Sequence, residues 1–174
     1  VRKHGVDVLP IDVNHSQWDC TLEAVTRPTA SPSQPRSPDA ASTRFALRLG
    51  FRLLKGIGHE VAATLAARRA NQPYSSTEDL AQRTGLSKAI LLQLSRAGAM
   101  QSLQAHRREA VWEMLSERED LPLLDTVPPQ NDEPSPGLER MTEVAEVVAD
   151  YRHSGLSLKK HPVAFLRPQL DQLR

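Results

Sequence analysis

The sequence predicts an all-α core with irregular, proline-rich flanks and a short extended segment near its N-terminal end. Three observations carry this expectation. Between residues 44 and 118, apolar side chains recur largely at helical spacing and are punctuated by single glycines. Nine of the 13 prolines fall in two short windows, 28–38 and 122–136. The 174 residues are 39% hydrophobic and 25% charged, with only three Phe, two Tyr and two Trp, which suits a modest core that does not run the whole length.

The elements follow in order. Residues 1–25 set Val6, Val8 and Ile11 around Pro10, then Asp12-Val13-Asn14-His15, the pattern of a short strand and a turn. This piece is too short to fold alone and is expected to complete a domain upstream. Residues 26–43 read as a linker, because Pro28, Pro32, Pro35 and Pro38 each remove an amide donor and restrict their neighbours. In the compact piece, 44–118, Phe45, Leu47, Leu49, Leu53 and Leu54 are expected on a helix that ends at Gly56. Val61, Ala62, Leu65 and Ala66 mark the next helix, stopped by Asn71-Gln72-Pro73. Ser75 is expected to cap a third, with Glu78 as its capping-box partner and Gly85 as its end. Ser87 opens a fourth, through Ile90, Leu91, Leu94 and Ala97 to Gly98. A last helix, about 104–116, carries Ala110, Val111, Met114 and Leu115, with Trp112 expected in the core. Residues 119–137 read as a second linker. A connector helix, about 138–153, has Met141, Val144, Ala145 and Val148 as its apolar stripe and Gly155 as its cap, and a short amphipathic stretch completes 138–174.

Several function classes drop out. No run of 18 apolar residues occurs, so a membrane-spanning helix is excluded. No charged n-region with an apolar h-region opens the chain, and it begins at Val1, so the expectation is a fragment or processed chain without a signal peptide. The single Cys20 excludes an internal disulfide and a multi-cysteine metal site. His4, His15, His59, His106, His153 and His161 are scattered without ligand spacing. A soluble cytoplasmic protein with no metal site, no cofactor and no membrane partner is expected.

The net charge of +1 conceals an asymmetry. Residues 44–112 carry 11 Lys/Arg against four Asp/Glu, whereas residues 113–150 carry two against 11. A basic block beside an acidic one points to a local polyanion site rather than a uniformly adhesive surface.

The informative string is Leu54-Lys55-Gly56-Ile57-Gly58-His59-Glu60-Val61-Ala62. A helix is expected to end at Gly56, the chain to reverse, and a second helix to start after Gly58, with Ile57 plugged into the core. Glycine suits tight reversals that need positive φ or close backbone approach. The start of the second helix offers free amides and the positive end of its dipole, a place for a phosphate oxygen. The backbone amides of Gly58, His59 and Glu60 are the expected donors; Lys55 adds a charge, and Arg52, Arg68, Arg69 and Lys88 are expected to extend the basic face.

This string resembles the helix-hairpin-helix motif, a binder of the DNA sugar-phosphate backbone without sequence preference. Arg83-Thr84-Gly85-Leu86-Ser87 resembles a weaker second hairpin with Leu86 as plug, so the resemblance implies a tandem helix-hairpin-helix core. More of the chain is recognisable. His4-Gly5-Val6-Asp7-Val8, Pro10-Ile11-Asp12-Val13-Asn14, Ser16 and Trp18-Asp19-Cys20 resemble the end of the fingers region of bacterial C-family DNA polymerases. Leu47-Arg48-Leu49-Gly50-Phe51 leading into Lys55-Gly56-Ile57 resembles the entry to their helix-hairpin-helix domain, Leu94-Ser95-Arg96-Ala97-Gly98-Ala99 resembles a recurrent segment of the family, and Arg107-Arg108-Glu109-Ala110 with Trp112 follows it as in their error-prone branch, relatives of the polymerase III alpha subunit. Asp150-Tyr151, Gly155-Leu156-Ser157-Leu158 and His161-Pro162 resemble the approach to the OB-fold domain of those enzymes.

The resemblance implies a chain that holds double-stranded DNA behind an active site located elsewhere. The palm carboxylates and their Mg²⁺ ions would lie upstream of Val1 and the OB-fold downstream of Arg174, so no polymerisation by this stretch alone is expected. Asp7, Asp12 and Asp19 match no catalytic carboxylate. The resemblance allows a K⁺ or Na⁺ ion at the hairpin carbonyls. It implies as partners the remaining polymerase domains, and a sliding clamp or other translesion proteins. Two other readings fit parts of the sequence. A DNA glycosylase would need a catalytic Asp after the hairpin, and Asp79 sits instead at a Ser-Thr-Glu-Asp helix start. A helical protein-interaction module would use the hairpin as a turn only, and its binding would not weaken steeply with salt.

Overall fold

The computed structural model describes residues 6–25, 44–103, 106–116 and 137–172. The expected linker 26–43 and nearly all of the expected linker 119–137 lie outside the described residues. Three strands are present, β1 (Asp7–Leu9), β2 (Thr21–Val25) and β3 (Arg44–Arg48), followed by helices α1 (His59–Arg69), α2 (Thr77–Thr84), α3 (Lys88–Arg96), α4 (Arg107–Ser116), α5 (Glu143–Ser154) and α6 (Pro162–Asp171).

About half of the described residues are helical, and the fold is not all-α. The strands form one sheet in the order β1-β3-β2, with β1 parallel and β2 antiparallel to β3; Val8 and Leu22 both stand opposite Leu47. The helix expected to lead into Gly56 is therefore β3 followed by a single 3-10 turn, Phe51–Leu53. Phe45, Leu47 and Leu49 alternate with Ala46 and Arg48, a period of two, and pairing on both edges of β3 decides between strand and helix. The side chain of Arg48 is only 11% exposed and is held by both oxygens of Glu23, at 3.0 and 2.9 Å, and by the Pro10 carbonyl at 3.0 Å. Gly50 sits where two backbones meet: a Cβ there would lie 2.4 Å from the Trp18 oxygen and the Asp19 carbonyl carbon.

One hydrophobic cluster spans the described core. It joins Ile11 and Val13 of the N-terminal segment to Phe51, Ile57, Leu65, Leu80, Leu94, Met100 and Met114. Polar contacts secure the same junction. The Val13 amide donates to the Ala99 carbonyl at 2.8 Å, and Asn14 pairs with both backbone groups of Tyr74, at 2.7 and 2.9 Å. The buried Ser16 hydroxyl donates to the Leu49 carbonyl at 2.7 Å and accepts from the Asp12 amide at 2.9 Å. Such pairing is what allows buried polar groups to remain in a core.

The helix boundaries follow the glycines. Gly85 and Gly155 close α2 and α5 in the left-handed conformation, at φ +61° and +76°. The cap of α2 is Ser76, one residue beyond the expected Ser75; its hydroxyl accepts from the Asp79 amide, and the Asp79 carboxylate accepts from the Ser75 amide. Asp79, not Glu78, completes that box, and the Ser75 amide, helped by Arg83, holds its carboxyl below the usual range. The connector helix starts later than expected, at Glu143 with Thr142 as cap, and buries Val147 rather than Val144 and Val148. Trp112 is half exposed on α4, outside the core.

Candidate nucleic-acid interface

Two loops of the helical region share one geometry. In the first, Leu54 ends the 3-10 turn, Gly56 turns the chain at φ +78°, Ile57 is buried, and Gly58 is the extended N-cap of α1. In the second, Gly85 turns the chain at φ +61°, Leu86 packs against the core, and Ser87 is the extended N-cap of α3. Thr84, the last residue of α2, donates its hydroxyl to the Leu80 carbonyl and steadies the exit from that helix.

Neither helix start is capped by a side chain. The first amides of a helix have no intrahelical partner, so the start of α1 presents donors and a positive dipole end to solvent, whereas at the start of α3 the Ile90 amide already donates to the Ser87 carbonyl at 2.9 Å. Gly58 adds a particular detail. Its φ of −87° suits any residue, and a Cβ built there would meet nothing within 4 Å. Nothing among the described residues demands glycine at that position, whereas the close approach of an outside group would.

The first loop is buttressed from two helices. The Lys55 amide donates to the His153 carbonyl of α5 at 2.9 Å, and the Gln93 side-chain amide of α3 donates to the Lys55 carbonyl at 2.7 Å. Gln93 also lies 3.4 Å from the His153 ring. These contacts fix the loop while its outer side stays exposed. Sequence reasoning did not single out Gln93 for this role, because partners 38 and 60 residues away leave no local spacing signal.

The expected site residues divide into three groups. Lys55, Gly56, Gly58, His59 and Glu60 lie together on the exposed first loop, with Ile57 beneath them. His59 meets the Trp18 ring edge-on at a centroid distance of 5.3 Å. Gly85, Leu86, Ser87 and Lys88 form the second loop, where the Lys88 ammonium lies 3.3 Å from the Leu115 carbonyl. The remaining arginines are placed elsewhere. Arg52 is exposed and paired with Asp19 at 2.7 Å. Arg68 and Arg69 end α1, roughly 14 Å along its axis from His59 at 1.5 Å per residue. Arg69 donates to the Val13 and Ser16 carbonyls, and its partial burial pulls its pKa below the usual arginine value. It clamps the N-terminal segment.

The carboxylates do not gather. Among the described residues no three His, Cys, Asp or Glu side chains group as a metal site. Asp12 is engaged by the Asn14 amide, His15 and the Ser102 amide.

Comparison with known proteins accords with this geometry. The helix-hairpin-helix motif family matches residues 5–110. The relatives of the whole chain are error-prone DNA polymerases. Error-prone DNA polymerase 1 of Agrobacterium fabrum is 41% identical over 99% of this chain and 16% of its own length. Error-prone DNA polymerase of Burkholderia pseudomallei is 41% identical over 99% of this chain and 15% of its own. That of Methylococcus capsulatus is 40% identical over 98% and 16%. The chain thus spans about one-sixth of the length of these relatives.

Proposed function

The chain belongs to the helix-hairpin-helix motif family, and from that premise we propose that it grips the backbone of duplex DNA, without reading sequence, within an error-prone polymerase used in damage-tolerant synthesis and repair. The supporting observation is the pair of matched loops, each ending in an uncapped helix start, the first beside the exposed Lys55. In this reading the loops act as a tandem pair. The amides of Gly58, His59 and Glu60 donate to one phosphate, and the positive dipole end of α3, at Ser87, faces another. Backbone donors and point charges recognise phosphates and carry no base information.

Nucleotidyl transfer belongs to the longer relatives. Asp7, Asp12 and Asp19 belong to no cluster of metal-ligating side chains among the described residues. A K⁺ or Na⁺ ion at the carbonyls of the first hairpin belongs to the proposal. Replacing KCl by tetramethylammonium chloride at equal ionic strength tests it, and unchanged affinity would remove the ion. The chain would work in the cytoplasm, beside the other polymerase domains and a sliding clamp or other translesion proteins. The exposed Val144, Val148 and Tyr151 of α5 offer apolar surface to such partners.

The test is fluorescence anisotropy with a labelled random-sequence duplex across a salt series. Wild-type binding should weaken steeply with salt, and Lys55→Glu should bind less tightly at every salt concentration. Binding that ignores salt, or a folded Lys55→Glu that binds as well as wild type, would overturn the reading.

A further inference from the structure

Beside the first hairpin lies a group of cations on α3 and α5, beyond those expected from the sequence. The His153 carbonyl receives the Lys55 amide, and His153 lines one cleft together with Arg96, Arg107 and Arg152. Burial, followed by the positive charges of Arg107, Arg152, Arg96 and Lys55, pushes the imidazole pKa below its ordinary value. Arg107 is neutralised: its guanidinium meets Asp150 at 2.6 Å and Glu146 at 3.3 Å. The same carboxylates are further engaged, Glu146 by Lys159 at 2.8 Å and Asp150 by the Ser157 hydroxyl at 2.7 Å. Among the described residues, no carboxylate pairs with Lys55, Arg96 or Arg152. Arg96 and Arg152 are exposed and border an open cleft of about 360 Å³ between α3, α4 and α5.

Cations near the last turn of a helix are favoured by its dipole, and each arginine taken singly needs no more explanation than that. The dipole does not explain why Arg96 and Arg152, from two helix ends, border one cleft beside the hairpin with no ion pair to any carboxylate among the described residues. Like charges gathered in this way repel unless an anion joins them.

We propose that Arg96 and Arg152 form a further phosphate site for the DNA backbone, continuous with the Lys55 hairpin, so that α5 is part of the DNA-binding surface. The proposal rests on the backbone-binding reading above and extends it to a helix outside residues 5–110, the region matched by the motif family. The hydrogen bond from the Lys55 amide to the His153 carbonyl sets the spacing between the two phosphate sites.

The experiment uses the whole 174-residue chain and a labelled random-sequence duplex at salt concentrations from about 50 to 200 mM. Wild type is compared with Arg96→Gln/Arg152→Gln and with Arg96→Lys/Arg152→Lys. Each lost phosphate contact removes about 0.9 from the slope of log affinity against log salt, so the Gln pair should lower its magnitude by about 2. The Lys pair should keep it, because charge alone suffices. Single Gln variants should each lower it by about 1, which keeps the test open if the double variant unfolds. An unchanged slope in folded Gln variants, with Lys55→Glu still weakened, would overturn this proposal and leave the hairpin reading standing. Wild type without salt-dependent binding would overturn both.

Discussion

Replacing Gly58 by serine should make the protein more stable and a poorer DNA binder. The position is an N-cap in extended conformation whose carbonyl already accepts the first bond of α1, from Ala62 at 3.3 Å. Serine suits that geometry, and its Cβ would meet nothing within 4 Å. Its hydroxyl would accept from an amide of the first turn, a gain of a few tenths of a kcal/mol over glycine. Losing the freedom of glycine in the unfolded chain adds about 0.4–1 kcal/mol. The sum is about 0.5–1.5 kcal/mol, an upward shift in Tm of roughly 1–6 °C for a chain of this size. The same side chain would stand in the open space where the phosphate is proposed to approach and would displace it from a donor. Loss of one hydrogen bond to a charged group costs about 1.5–3 kcal/mol, so duplex affinity should fall about tenfold or more. The assays are a thermal melt followed by circular dichroism and the anisotropy salt series. Gly56→Ala is the control. At φ +78° alanine is strained and should lose about 1–2 kcal/mol. A stabilised Gly58→Ser that binds DNA as well as wild type would refute the assignment of the α1 amides. A destabilised one would refute the account of the cap.

Two further outcomes are expected. Asn14→Ala removes both partners of the Tyr74 backbone, at 2.7 and 2.9 Å, and should cost about 2–4 kcal/mol in urea unfolding, whereas a loss below about 0.5 would show that this junction contributes little. The His153 pKa is lowered in the fold by burial and neighbouring cations. The unfolded chain therefore takes up that proton first as pH falls. The resulting stability is complete above the ordinary value of 6.5 and is lost as pH drops through the lowered one. Melting temperature should decline from pH 7 to 5, and His153→Gln should flatten that decline; an equally steep variant would assign it elsewhere.

Much of this architecture is legible in the sequence, and the exceptions have physical causes. Helices α1, α2 and α3 are marked by apolar spacing and by Gly85 and Gly98, and the first loop by its two glycines around Ile57. These are local signals, and local geometry answers to them. The β3 strand was hidden because Phe45 and Leu49 fit helical spacing as well as alternation; its partners, β1 and β2, lie across another stretch of chain. Trp112 shares apolar neighbours with the core, yet the helix turns it outward. Arg69 reads as one more cation, and only the fold shows its guanidinium turned toward Val13 and Ser16. Arg96 and Arg152 carried a faint signal, since neither has an acidic residue three or four positions away on its helix.

The junction between the N-terminal segment and the helices also bears on the order of events during synthesis. Asp12 accepts from the amide of Ser102 across 90 residues of sequence, and Asn14 meets Tyr74 across 60. At about 5–20 residues per second, the ribosome delivers the second partner of the longer pair roughly 5–18 s after the first. Ile11 and Val13 emerge long before the surface that buries them exists. Until then they remain open to chaperones, and the hairpins that follow must form before the earlier segment can settle.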